Sequence, residues 1–135
     1  MRATVTIQSS VLDAMREHAR QSSPKECCGL LAGSGSAITH AYPVSNALAS
    51  EREFFADPGE LINALRALRG RGLKHQGIYH SHPSSENFPS HRDVEMAFYP
   101  DCVHFIISPV VPFERRVRAF SIEDCQVAEL SVVSC

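Results

Sequence analysis

Hydrophobic and polar positions change period several times along the chain, and each change marks an element. Thr4 to Ile7 alternate, with Val5 and Ile7 on one side, which predicts an opening edge strand. Val11, Leu12, Met15 and Ala19 then fall at helical spacing and predict an amphipathic helix. Ser10 is its expected cap, with Asp13 at the third position as a carboxylate variant of the capping box. Pro24 blocks continuation, so this helix ends near Ser22-Ser23. Cys27 to Ala32 is apolar without interruption between Glu26 and Gly33, a length that suits a strand buried on both faces. Gly33-Ser34-Gly35-Ser36 predicts a tight turn, and Ala37 to Val44 the returning strand of a hairpin.

Asn46 to Arg52 is polar and weakly patterned, and reads as a loop on the rim of a site. Glu53-Phe54-Phe55-Ala56 predicts a short strand. Asp57-Pro58-Gly59-Glu60 is a strong helix start, with a cap, a proline at the first position and an acid at the third. Leu61, Ile62, Leu65 and Leu68 form the expected buried stripe, and Gly70 or Gly72 the stop. Leu73 to His82 reads as a strand, Ser84 to Pro89 as a loop, and Ser90 to about Tyr99 as a helix with Val94, Ala97 and Phe98 inward. Pro100-Asp101 breaks it. Cys102 to Ile107 is another apolar strand, and Arg115–Ile122 and Gln126–Val133 alternate as closing strands. Helices interleaved with hairpins and buried strands predict an α/β fold, a single three-layer domain over residues 1–135 with a mixed sheet flanked by helices.

Composition adds bounds. A chain of 135 residues with 44% hydrophobic and 21% charged positions is long enough for a real core and ordinary for a globular protein. A net charge of -2 gives no argument for nucleic acid or membrane binding. No apolar run approaches the roughly 20 residues that span a bilayer, and the start lacks a signal-peptide apolar region, so a cytoplasmic protein is expected. The five cysteines form no CxxC, and in a reducing compartment they read as buried small apolar groups rather than nucleophiles or zinc ligands.

The concentrated chemistry lies in His80-Ser81-His82-Pro83 and Ser90-His91-Arg92-Asp93. Residues i and i+2 of a strand share a face, so His80 and His82 project two imidazoles to one side, and Pro83 keeps its neighbour extended. His75, five residues from His80, is expected to face the other way, and His104, on an apolar strand, to be a satisfied core histidine. Taken alone, Ser90-x-x-Asp93 is a helix cap, and His-x-His is a polar strand face. Together, across a proline-bounded loop that can fold back, two histidines and an aspartate make three metal ligands. A fourth position is left for water, the pattern of a catalytic zinc site.

These residues resemble the signature of the JAMM (MPN-plus) metalloproteases. Glu26-Cys27-Cys28-Gly29-Leu30-Leu31-Ala32-Gly33 resembles the upstream part of that signature in the small stand-alone bacterial members, and Asp57-Pro58-x-Glu60 and Asp101 to Ser108 fit the flanks. The resemblance implies a curved sheet flanked by helices, akin to the cytidine-deaminase-like architecture. It implies Zn2+ held by His80, His82 and Asp93, with Glu26 as proton acceptor and donor and Ser90 as the hydrogen-bond donor to the oxyanion. Sequence logic alone does not choose Glu26 over Glu17, Glu53, Glu86 or Glu95; its independent merit is a place at the mouth of a buried strand. The implied reaction is amide or isopeptide hydrolysis by zinc-activated water, with no covalent intermediate. The implied substrate is a ubiquitin-like sulfur-carrier protein ending in Gly-Gly, with no nucleic acid or membrane partner and a homodimer left open.

Three rivals remain. A non-catalytic scaffold of the same fold conflicts with the retention of every ligand position. A zinc nucleobase deaminase needs His/Cys-x-Glu and Pro-Cys-x-x-Cys, and neither is present. A JAMM peptidase acting on another bacterial protein, such as a phage-tail component, keeps the chemistry and changes only the substrate.

Overall fold

In the computed structural model, which describes residues 2–135, seven strands form one mixed sheet. In chain order the elements are β1 (Thr4–Ile7), α1 (Ser9–Ser22), β2 (Cys28–Gly33), β3 (Ile38–Val44), α2 (Pro58–Gly70), β4 (Lys74–Ser81), α3 (His91–Glu95), β5 (Val103–Ile107), β6 (Val117–Glu123) and β7 (Gln126–Ser134). The spatial order is β1-β3-β2-β4-β5-β6-β7, and the sheet closes on itself through β1. β1 runs parallel to both β7 and β3, meeting β3 at the single pair Ile7↔Ile38. It is therefore not the expected edge: pairing on both sides hides its unsatisfied backbone groups. β4 and β5 are parallel, and the other neighbours antiparallel.

The period-two alternation of β2 sorts its side chains into two cores. Cys27 and Leu31 join Ile7, Met15, Tyr79 and Phe105 under α1. Cys28, Leu30 and Ala32 join Val44, Ala64 and Leu68 under α2. The layers are thus α1, sheet, and α2 with α3, as the apolar run from Cys27 implies. Gly29 lies opposite Tyr79, and the phenol ring fills the space that a side chain at Gly29 would need. The Tyr79 hydroxyl meets His18 Nδ1 of α1 at 2.7 Å.

Local expectations met mixed outcomes. Asp57 caps α2 by accepting from Glu60 N at 3.0 Å, with Pro58 at the first position. Ser10 is not a cap: α1 begins two residues earlier than a Ser10 cap would set it, at Ser9 after Gln8, with no side-chain cap bond. Ile62 is exposed, because the stripe facing the sheet runs through Ala64 and Leu68. α3 ends at Glu95, well before Tyr99, and Phe98 is exposed. Glu53 to Ala56 forms only an isolated bridge, Asn46↔Ala56. Among the described residues, no helix is long and apolar enough to cross a membrane.

Candidate metal centre

β4 carries the site because both of its neighbours hold it in the sheet through His80. Cys28 pairs with His80 on one side, and Ile106 on the other. Ser81 N donates to Cys27 O at 3.2 Å and His82 N to Ile107 O at 2.8 Å, so the extended conformation continues through His82. His80 and His82 therefore point to the same face, as period two requires.

Asp93 arrives from the other side of the Pro83–Pro89 loop. Buried Asn87 fixes that loop, donating from Nδ2 to Ile106 O and Arg115 O at 3.3 and 2.6 Å. Ser90 then caps α3 in a complete capping box: its Oγ accepts from Asp93 N at 3.1 Å, and its own N–H donates to Asp93 Oδ2 at 2.9 Å. The box locks the carboxylate. Asp93 Oδ2 lies 3.1 Å from His80 Nε2 and 3.0 Å from His82 Nε2, and the two nitrogens are 3.2 Å apart. All three residues are buried.

The arrangement fits a cation. His82 Nδ1 lies 2.9 Å from the Glu86 carbonyl oxygen, which only accepts, so Nδ1 carries the proton and neutral His82 turns a lone pair from Nε2 toward Asp93. A lone pair facing a carboxylate oxygen at 3.0 Å is repulsive unless positive charge lies between them. Neighbouring ligand atoms in a tetrahedron of radius about 2.0–2.1 Å are separated by roughly 3.3 Å, close to the spacings found. Two imidazole nitrogens and one carboxylate oxygen are a zinc-type donor set.

Protonation in the cation-free site follows the same contacts. Burial opposes charge on His82, but the hydrogen bonds to Asp93 and the Glu86 carbonyl outweigh it and raise its pKa. For the more enclosed His80, burial dominates and lowers it despite Asp93. Burial disfavours the Asp93 carboxylate, yet the two histidines and the Ser90 N–H hold it well below the usual range.

Glu26 stands next to this cluster. Extending the Cys28↔His80 register by two residues sets it opposite His82. Its Oε1 is buried with no partner, and burial pushes its pKa up to about 8, with Asp93 and Glu53 adding and His82 opposing. Glu17, Glu86 and Glu95 are exposed and Glu53 is half-buried, so burial distinguishes Glu26 where spacing did not.

Three features were not legible beforehand. Phe54 stacks on His80, with ring centroids 4.5 Å apart and planes 24° apart. Asn46 holds that segment over the site: its Nδ2 donates to Glu26 O and Glu53 O, and its Oδ1 accepts from Leu48 N and Phe55 N. An Asn at the head of an unpatterned loop was the only available signal. The third is His75. A register shift between Leu31 and Ala32 sets His75 opposite Ala32, on the His80 face rather than away from it. It packs edge-on against Tyr99 and stays outside the ligand cluster. His104 is buried as expected but not satisfied: Nε2 has no partner, and burial lowers its pKa to about 4.

Fold and site together define a JAB-type domain. The chain belongs to the family of prokaryotic homologs of the JAB domain, whose pattern matches residues 8–123. It is 39% identical over 128 residues to a desampylase of Haloferax volcanii, covering 93% of this chain and 89% of that protein. It is 35% identical over 127 residues to the CysO-cysteine peptidase of Mycobacterium tuberculosis, covering 93% and 87%. The solution structure of a Desulfitobacterium hafniense protein superposes with a TM-score of 0.86 at 32% identity, covering 97% of this chain and 92% of that one.

Proposed function

We propose that the chain is a zinc-dependent peptidase or isopeptidase acting on the C-terminal Gly-Gly tail of a ubiquitin-like sulfur-carrier protein in the cytoplasm. The observation that carries the reading is the convergence of His80, His82 and Asp93, whose ligand atoms all lie within 4.8 Å of one another. These three residues would hold the ion. When bound, zinc supplies a Lewis acid that polarises a carbonyl and makes water nucleophilic near neutral pH.

The chain's own residues supply the rest. Glu26 takes the proton of the attacking water and delivers it to the leaving nitrogen; burial raises its proton affinity past neutrality, and the positive charge of an ion held by His80, His82 and Asp93 would lower it again, so that the carboxylate can accept a proton near neutral pH. Ser90 Oγ accepts from Asp93 N, which leaves its hydroxyl hydrogen free to donate to the substrate carbonyl oxygen as negative charge develops there. Phe54 covers one face of His80 and keeps water from that side. A diglycine tail suits an approach between Ser90 and Glu26, since only glycine lets the backbone come so close. The named activities of the relatives favour conjugates of small proteins as substrates. The three buried free thiols suit a reducing compartment.

The test has two parts. Metal analysis should find about one zinc per wild-type chain and none in folded Asp93→Ala. Mass spectrometry should then show a tail-extended sulfur carrier shortened to its diglycine by the wild type alone. Zinc retained by Asp93→Ala overturns the ligand assignment; an unchanged carrier overturns the substrate.

A further inference from the structure

Beside the metal centre, on the α2 side of the sheet, lies a pocket of about 180 Å³, far larger than the roughly 10–15 Å³ that one water needs. His80 and Asp93 form part of its wall, so whatever fills it lies against the reacting bond. Most of the remaining wall is apolar, with Val44, Phe54, Leu61, Ile78, Met96 and the Tyr99 ring. Phe55 and Phe98 stand at the rim, 42% and 66% exposed, although nothing in an isolated chain rewards leaving two aromatic rings in water. Among the described residues no lysine or arginine lines the pocket, and no carboxylate except Asp93. His104 contributes one buried ring nitrogen without a partner.

We infer that this pocket receives the side chain of the first residue after the scissile bond, and that it selects large apolar residues there. The inference rests on the proposed diglycine specificity. Both residues before the bond are then glycines, which have no side chain to fill a cavity, and their carbonyl must reach the ion and Ser90. The leaving residue is the nearest part of the substrate that carries a side chain. Leucine, methionine, phenylalanine and tyrosine match the wall. A lysine ammonium or a carboxylate would be stripped of water with no opposite charge to meet it. Cysteine and serine would leave most of the volume empty. Chemically the step is ordinary hydrolysis: water adds to the carbonyl, the C–N bond breaks, and the amine departs with the proton carried by Glu26. The pocket only chooses which amine departs.

The test is a panel of carrier-tail peptides ending Gly-Gly-X-amide, with X as Leu, Met, Phe, Ser, Lys or Asp, on zinc-loaded enzyme. The expected kcat/KM for Leu, Met or Phe exceeds that for Ser and Lys by about tenfold or more, the effect of a few methylenes in an apolar pocket. Leu61→Lys should invert the order toward Asp, while Leu61→Met keeps it; a merely structural role for Leu61 would lower all rates together. A second readout needs no turnover. Titrating L-phenylalaninamide into the protein should shift the NMR resonances of His104 and Phe54, and L-lysinamide should leave them in place. Peptides cleaved at equal rates, or His104 and Phe54 unmoved by L-phenylalaninamide, overturn the pocket assignment. Cleavage of none of the peptides, with the resonances shifted, upholds the pocket and overturns the diglycine reading instead.

Discussion

Replacing Glu26 with glutamine should remove activity and, at alkaline pH, strengthen the fold. Without a bound ion, folded Glu26 holds its proton up to about pH 8, against an ordinary value of 4.5, because its carboxyl is buried with one oxygen unpartnered. Between those values the folded chain binds more protons than the unfolded one. Stability is therefore greatest below the unfolded value and is lost as pH rises through the folded one. At about 1.36 kcal/mol per unit, the span sets a ceiling of roughly 5 kcal/mol. Solvent screening on the open side of the site reduces the measurable part to about 2–3 kcal/mol. Glutamine does not titrate, so Glu26→Gln lacks this slope. Urea unfolding of both metal-free proteins at about pH 5 and about pH 9 reads the difference directly. The wild-type midpoint should fall between the two conditions by more than the variant's, since titration of the other groups is common to both. Zinc-loaded Glu26→Gln should lose about 10²–10⁴-fold in kcat with its ion still bound. Parallel pH curves for the two proteins would refute the claim that Glu26 is held protonated by burial.

Ser90→Ala removes both the α3 cap and a donor; unfolding should register about 1 kcal/mol, and kcat a loss of about 10²–10³-fold. Acid should empty the site: protons compete with the ion for His80 and His82, so dialysis through about pH 6 should release zinc and stop turnover together. Turnover that persists well below that pH without metal would point to a different mechanism. Gly29→Ala should destabilise the chain by about 1–3 kcal/mol in a thermal melt, because the added methyl meets the buried Tyr79 ring. Tyr79→Leu in the same background should recover part of that loss.

Legibility followed the range of the interactions. The Asp57 cap, the Pro58 start and the buried run from Cys28 are local effects, and the structure matches them. The Ser10 cap failed because Gln8 is already held in the sheet, with its N donating to Ile38 O, so the helix starts at Ser9. His75 lies on the opposite face from the one that counting from His80 assigns, because a bulge shifts the register by one residue. The fate of Phe98 depended on where α3 stopped, and a five-residue helix held by its capping box has no apolar stripe to extend it.

What the sequence determined by itself is the identity and the local aim of the chemical groups. His-x-His on an extended segment before proline must send two rings to one side, and Ser-x-x-Asp at a helix start must draw the acid back toward its cap. Only the tertiary structure decided that these two local devices meet, because nothing in either stretch encodes the fold of the loop that Asn87 pins to β5 and to the turn before β6. It also set Glu26 apart from the other glutamates by burial, where the sequence offered only a resemblance, and placed Phe54 over His80. Desolvation and stacking are properties of the surroundings, and those surroundings are assembled from residues distant in the chain.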